Sequence, residues 1–218
     1  DLVRSRGLGD VYKRQHLRIK NTKGVRGSRV PKRRWLNKDE MQALLDHCIT
    51  DDRKQGLRDA ALIALLYGCG LRRSEVVKID RGQLNYSEQS IRIIGKGNKE
   101  RKVYPPARAW DLCHEWIIEA DIIEGPLFRR IYKGGTVANE ALTDQSVYFI
   151  LKRLMVLTGI ADFSPHDLRG SFISCLLDTG NDIKTVADIV GHSDIRTTAR
   201  YDRRGEKRKK ATNQSIEL

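Results

Sequence analysis

Glycines 70, 159, 180 and 191 each fall where a run of helically spaced apolar residues stops, which restricts the chain to a succession of short and medium helices. The helix starts are equally marked. Asn37 and Glu40 form a capping box for a helix to about Ile49, with Met41, Leu44 and Leu45 on one face. Ala61, Leu62, Leu65 and Leu66 give a second helix over about Leu57–Cys69, ended by Gly70, and a short one follows over Ser74–Ile79. Two more are expected at Ala107–Ala120 and Thr143–Leu157. Ser164, Pro165 and Asp167 supply an N-cap, a proline at the first helical position and an acid at the third, for a helix to about Asp178. Asp182–Val190 and Ser193–Tyr201 complete the series. Against these stand only two strand-like runs, Ile91–Ile94 and Lys102–Tyr104, joined by the glycine-containing turn 95–101. The expected class is mainly α with a small antiparallel β-sheet, an α+β domain.

Charge is concentrated at one end. The chain of 218 residues carries +13 overall. Eight Lys or Arg and no acid lie between His16 and Arg34, among them Lys32, Arg33 and Arg34, giving +8. Residues 1–15 add +2, which leaves +3 for everything from Trp35 onward. The excess is therefore a basic, glycine-dotted strap, read as an interdomain linker over 16–34, and it predicts a polyanionic partner, DNA or RNA. Asp10–Gln15 reads DVYKRQ, the translation of the mosaic-end sequence of a library-preparation transposase, so residues 1–15 are read as a disordered sequencing scar. No apolar run approaches the roughly 20 residues that span a bilayer. Cys48, Cys69, Cys113 and Cys175 are scattered without a CxxC pair, which fits reduced core thiols of a cytoplasmic protein better than zinc ligands or disulfides.

Six residues form a single set: Arg72 in GLRRSE, Lys96 in GKGNKER, His166 and Arg169 in SPHDLR, and His192 and Tyr201 in VGHSDIRTTARY. A phenol can attack phosphorus, cations can hold the charge growing on the non-bridging oxygens, and one donor can protonate the departing oxygen. His166 and Arg169, three apart at a helix N-terminus, share a face at the end suited to a phosphate. Lys96 sits on the turn, from which a flexible stem can reach a leaving oxygen. Glu75, three residues after Arg72, is placed to hold that arginine. Asp167 reads as a helix cap. No paired carboxylates suggest a two-metal site, and there is no Walker A loop.

The order, types and spacings of the six resemble the catalytic domain of the tyrosine recombinases, the family of phage integrases and Xer-type resolvases. Arg72 and Lys96 are 24 apart, Arg169 and His192 are 23 apart, and Tyr201 follows His192 by nine, as in that family. The resemblance runs from about Trp35 to the tail. It implies a catalytic domain over 35–204, a tail over 205–218, and a family N-terminal core-binding domain missing from this sequence. It implies that Arg72, Arg169 and His192 grip the scissile phosphate, that His166 takes the Tyr201 proton, and that Lys96 is the general acid. Lys99, Arg101, Lys32, Arg33 and Arg34 are expected on the DNA backbone. The implied activity is site-specific strand exchange through a 3′-phosphotyrosyl intermediate, without metal, ATP or other cofactor. The implied partners are double-stranded DNA and three further copies in a tetramer on two duplexes, near the nucleoid of a bacterium or with a phage; neither a small-molecule substrate nor a membrane is expected. The alternatives are a silent DNA-binding module and a type IB topoisomerase-like enzyme. Gly170 and Ser171 depart from the family, where many members carry a larger basic or polar residue followed by Thr. A mid-helix glycine costs about 1 kcal/mol.

Overall fold

Residues 34–202, with 205 and 214, are described by the computed structural model, apart from the side chain of Lys96. The scar expected over 1–15, the strap over 16–33 with Lys32 and Arg33, and the tail after 202 apart from those two residues lie outside the described residues.

Helix α1 (Lys38–Ile49) starts as its capping box requires, with Asn37 Oδ1 accepting from the Glu40 N–H at 2.8 Å and Glu40 Oε2 accepting from the Asn37 N–H at 3.0 Å. Helix α2 (Lys54–Gly68) begins three residues earlier than the apolar spacing suggests. Its first turn is polar and Arg53 gives no side-chain cap, so nothing local announces the start. From Ala60 to Leu66 every residue of α2 is buried, which makes it the helix around which the others assemble. It packs against α1, the short α3 (Arg73–Val76), α4 (Ala107–Glu119) and α6 (Pro165–Asp178). Leu44, Leu62, Leu65, Trp116, Leu151 and Leu168 join one core, in which α5 (Asp144–Thr158) also lies. A second cluster gathers α6, α7 (Ile183–Val190) and the end of α8 (Ile195–Ala199): Ile173, Leu177, Val186, Val190 and Tyr201.

Two small antiparallel sheets are present where one is expected. The first orders β1 (Leu84–Asn85), β2 (Ser90–Ile94) and β3 (Glu100–Val103), the last two joined by the glycine turn. The second pairs β4 (Arg129–Ile131) with β5 (Val137–Ala141), whose VANEA sequence has little β-propensity. Tertiary contacts support that hairpin instead: Arg129 donates to Asn139 Oδ1 at 3.0 Å and to the Pro126 carbonyl at 3.0 Å. Cys175 is exposed, unlike the other three thiols, so it is not the core residue expected.

Two glycines decide how α6 lies. Gly70 has φ +57°, and a Cβ there would sit 2.3 Å from the Phe172 ring. A Cβ on Gly170 would sit 2.2 Å from the Trp35 ring and 3.0 Å from that of Tyr201. The helical cost of Gly170 therefore admits two aromatic rings against α6. Gly170→Ala should lose about 1–3 kcal/mol by overpacking despite its better helix propensity. Gly134→Ala, where a Cβ meets nothing within 4 Å, should lose none. Paired denaturant titrations of the two variants check this.

Candidate active site

The first turn of α6 is held by Ser164 and Asp167. Asp167 Oδ2 accepts from the Ser164 N–H at 2.9 Å and from its hydroxyl at 2.7 Å, so Asp167 is a cap, as expected. This fixes His166 at the exposed helix start and aims Arg169 into the protein, where it is 2% exposed. Arg169 Nη1 donates to the Gly70 carbonyl, and Nη2 donates to that of Val190 at 2.6 Å. The guanidinium thus ties the end of α2 to the end of α7, just before the glycine and histidine at 191 and 192. Burial, then the charge of Arg72, lowers its pKa to about 10, so it remains a cation at neutral pH.

Arg72 precedes α3 and meets Glu75 twice: its N–H donates to Oε2 at 2.9 Å and its Nη1 to Oε1 at 2.6 Å. Glu75 is 5% exposed and takes a second arginine. Arg101 reaches it from β3, with Nη1 to Oε1 at 3.1 Å and Nη2 to Oε2 at 2.9 Å, and Arg169 Nη1 lies 4.0 Å from Oε2. Burial would push the Glu75 pKa up. The hydrogen bonds from Arg101 and from the Arg72 backbone, with the charge of Arg101, outweigh it and hold the carboxyl down to about 2. Arg101 was expected on the DNA backbone, but its guanidinium lies inside this cluster and its stem lies against Gly191. Arg34, expected there too, has Nη2 against Glu40. Lys99 is exposed on the turn.

Two clefts meet at Arg72. One, of about 450 Å³, is lined by Arg72, His166 and Arg169 with Arg73 and Tyr148. The other, of about 600 Å³, is lined by Arg72, Lys99, Arg101, His192 and the turn glycines 95 and 97. Lys96 lies between those glycines, at the rim of the second cleft. The turn is shaped by left-handed residues at Gly97 (φ +73°) and Asn98 (φ +57°), a conformation asparagine tolerates.

Tyr201 closes the arrangement. Its hydroxyl lies 3.1 Å from His166 Nε2, and its ring meets Trp35 edge-on at 5.4 Å and stacks beside His192 at 6.4 Å. The residue is 1% exposed. Ser174 Oγ donates to the Tyr201 carbonyl at 3.1 Å. His192 is pushed down to about 4 by burial first, then by the charges of Arg169 and Arg72, so its ring is neutral at pH 7. Arg72, His166, Arg169, His192 and Tyr201 are thereby brought together, with the Lys96 backbone beside them. Trp35, Tyr148 and the inward role of Arg101 carry no local sequence signal. Among the described residues no group of three His, Cys, Asp or Glu could hold a metal, and no helix is long and apolar enough to cross a membrane.

With this geometry in place, comparison with known proteins gives the class. Residues 34–208 match the model of the phage integrase family, and the chain belongs to that family. It is 37% identical over 197 residues to tyrosine recombinase XerC of Vibrio cholerae serotype O1, covering 86% of this chain and 60% of that protein. It is 35% identical over 168 residues to tyrosine recombinase XerD of Listeria innocua serovar 6a, covering 76% of this chain and 56% of that protein. The chain thus spans less than two thirds of the length of either relative. The fold matches the crystal structure of XerA recombinase with a TM-score of 0.67 at 20% identity, over 84% of this chain and 66% of that one. It also matches XerH site-specific recombinase in a post-cleavage complex with its palindromic difH substrate, with a TM-score of 0.66 at 24% identity, over 84% of this chain and 53% of that one.

The depressed Glu75 pKa has a consequence for stability. A carboxyl whose folded pKa lies below its ordinary 4.5 stabilises the fold above that value and loses the contribution as pH falls toward about 2. The drop is about 3 kcal/mol if the whole shift is expressed. Glu75→Gln should therefore be less stable than the parent at pH 7, with a shallower fall in stability between about pH 4.5 and 2. Chemical denaturation across that window reads both effects.

Proposed function

We propose that this chain is the catalytic part of a site-specific DNA recombinase that cuts and rejoins strands through a covalent phosphotyrosine. The observation that carries this reading is the 3.1 Å approach of the Tyr201 hydroxyl to His166 Nε2, beside two arginines and a second histidine around one pair of clefts. In this reading His166 accepts the phenolic proton, since a phenol with pKa near 10 is a weak nucleophile at neutral pH. The Tyr201 oxygen forms a bond to phosphorus while the bond from phosphorus to the 5′ oxygen breaks. Arg72, Arg169 and His192 stabilise the charge on the non-bridging oxygens. Lys96 gives a proton to the leaving 5′ oxygen, and a 5′ hydroxyl from a partner strand later reverses the step. Bond energy is kept in the phosphotyrosine, so the exchange requires no nucleotide. Because Tyr201 is 1% exposed, DNA binding has to draw the phenol or its Trp35 cover aside before attack.

By resemblance to the family, the substrate is double-stranded DNA, and four protomers assemble on two duplexes in the nucleoid. Lys99 and the strap residues Lys32 and Arg33 track the backbone, while the tail after Tyr201, with Ile216 and Leu218, docks on a neighbouring protomer. Arg101 is better read as support for Arg72 through Glu75 than as a DNA contact.

Two tests address the chemistry. On a nicked suicide substrate the parent chain should accumulate a covalent DNA adduct, and Tyr201→Phe should form none while binding DNA within a few-fold of the parent. An adduct mapped by mass spectrometry to Tyr148 or Tyr132 would remove Tyr201 from the role, and no adduct in the parent would favour a silent binding module. Separately, a substrate with a 5′-bridging phosphorothiolate, whose leaving group needs little protonation, should restore cleavage by Lys96→Ala but not by Arg169→Ala. Equal rescue of both variants, or of neither, would move the acid elsewhere.

A further inference from the structure

The connection from His192 to Tyr201 carries a buried hydroxyl that the reaction scheme leaves unused. Thr198, in α8, is 0% exposed, and its Oγ1 lies 2.8 Å from His192 Nδ1. Among the described residues that nitrogen is its hydrogen-bond partner, and no other acceptor for the hydroxyl is present. A hydroxyl can donate or accept, so the direction follows from which choice leaves a buried group unmet. If Nδ1 carried the ring hydrogen, it would donate to Oγ1 and the Thr198 O–H would be buried without an acceptor. Native interiors rarely tolerate such a group. If Thr198 donates to a bare Nδ1, its buried hydroxyl is met and the ring hydrogen belongs on Nε2.

The choice matters because His192 is neutral at pH 7, pushed down to about 4 by burial and by the neighbouring arginines. A neutral imidazole has a single N–H, so its tautomer decides whether the ring can donate to a phosphate or only offer a lone pair. We propose that Thr198 is a positioning residue that holds His192 as the Nε2–H tautomer, turning a neutral ring in the Arg72 cleft into a hydrogen-bond donor for the scissile phosphate. The inference rests on the recombinase reading for its consequence, but the tautomer itself does not.

Thr198 also anchors the end of the chain's site, because the Tyr201 N–H donates to its carbonyl at 2.9 Å. A fall in activity alone would therefore not separate tautomer control from a shift of Tyr201. The experiment uses the full chain with ¹⁵N-labelled histidine, in the parent, Thr198→Ser and Thr198→Val, and reads the ring-nitrogen shifts of His192 by NMR at pH 7. The parent and Thr198→Ser should show a protonated Nε2 and a bare Nδ1. Thr198→Val, which keeps the volume and removes the hydroxyl, should move His192 toward the other tautomer or a mixture. On the suicide substrate Thr198→Val should slow cleavage by about 10–100-fold, the range found when the partner orienting a metal-bound imidazole is removed. Thr198→Ser should stay within about three-fold of the parent on the same reasoning. A parent ring protonated at Nδ1 overturns the proposal, and so does a Thr198→Val protein with unchanged tautomer and cleavage. If Thr198→Val does not fold, the parent and Thr198→Ser spectra still decide the tautomer. A parent that never forms a DNA adduct defeats the recombinase reading while leaving the spectral result to stand on its own.

Discussion

Three arginines converge on the carboxylate of Glu75, and the site depends on that convergence. Arg72 and Arg101 hydrogen-bond to it, and Arg169 lies 4.0 Å away in a region where both residues are almost fully buried. Three guanidinium groups brought together without an anion would repel one another. At an effective dielectric near 20, one pair of unit charges about 4 Å apart interacts by about 4 kcal/mol. Glu75 converts that repulsion into a connected cluster and leaves a net positive field facing the clefts. The same carboxylate joins segments far apart in sequence: α3, the strand β3 and the helix α6. The excess positive charge makes the cleft a place for an anion, while the buried anion keeps the cations from separating.

Arg169 extends this cluster toward the nucleophile. Its bonds to the Gly70 and Val190 carbonyls fix the end of α7, and His192 follows two residues later. His192 then stacks beside Tyr201, which is wedged against α6 by Trp35. Gly170 is the reason both rings fit, and its helical penalty is the cost of bringing the phenol next to His166. The mid-helix glycine is therefore matched by an aromatic side chain from outside the helix.

Burial also sorts the two histidines. His166 stands exposed at a helix start, with its Nε2 at the phenol. His192 is half-buried among arginines, which keeps it neutral. Two identical side chains thus approach the same tyrosine from different surroundings, one at an exposed helix start and the other among arginines.

The helices were readable because their signals are local. Asn37 with Glu40, and Ser164 with Asp167, lie within one turn of each other, and each apolar stripe repeats over a few residues. The start of α2 and the hairpin of β4 and β5 have no such mark, since a polar first turn and a VANEA strand carry no local signal. The sequence by itself determined the mainly helical class, through caps and periodicity, and put forward the six-residue set through its resemblance to the tyrosine recombinases. Only the tertiary structure decided that Arg101 lies on Glu75, 26 residues away, rather than in solvent, and that Trp35 covers Tyr201 across Gly170. These contacts join positions with no fixed sequence separation, so no short-range pattern records them. They are selected by close packing and by the need of a buried charge for a partner, conditions that exist only once the helices have come together.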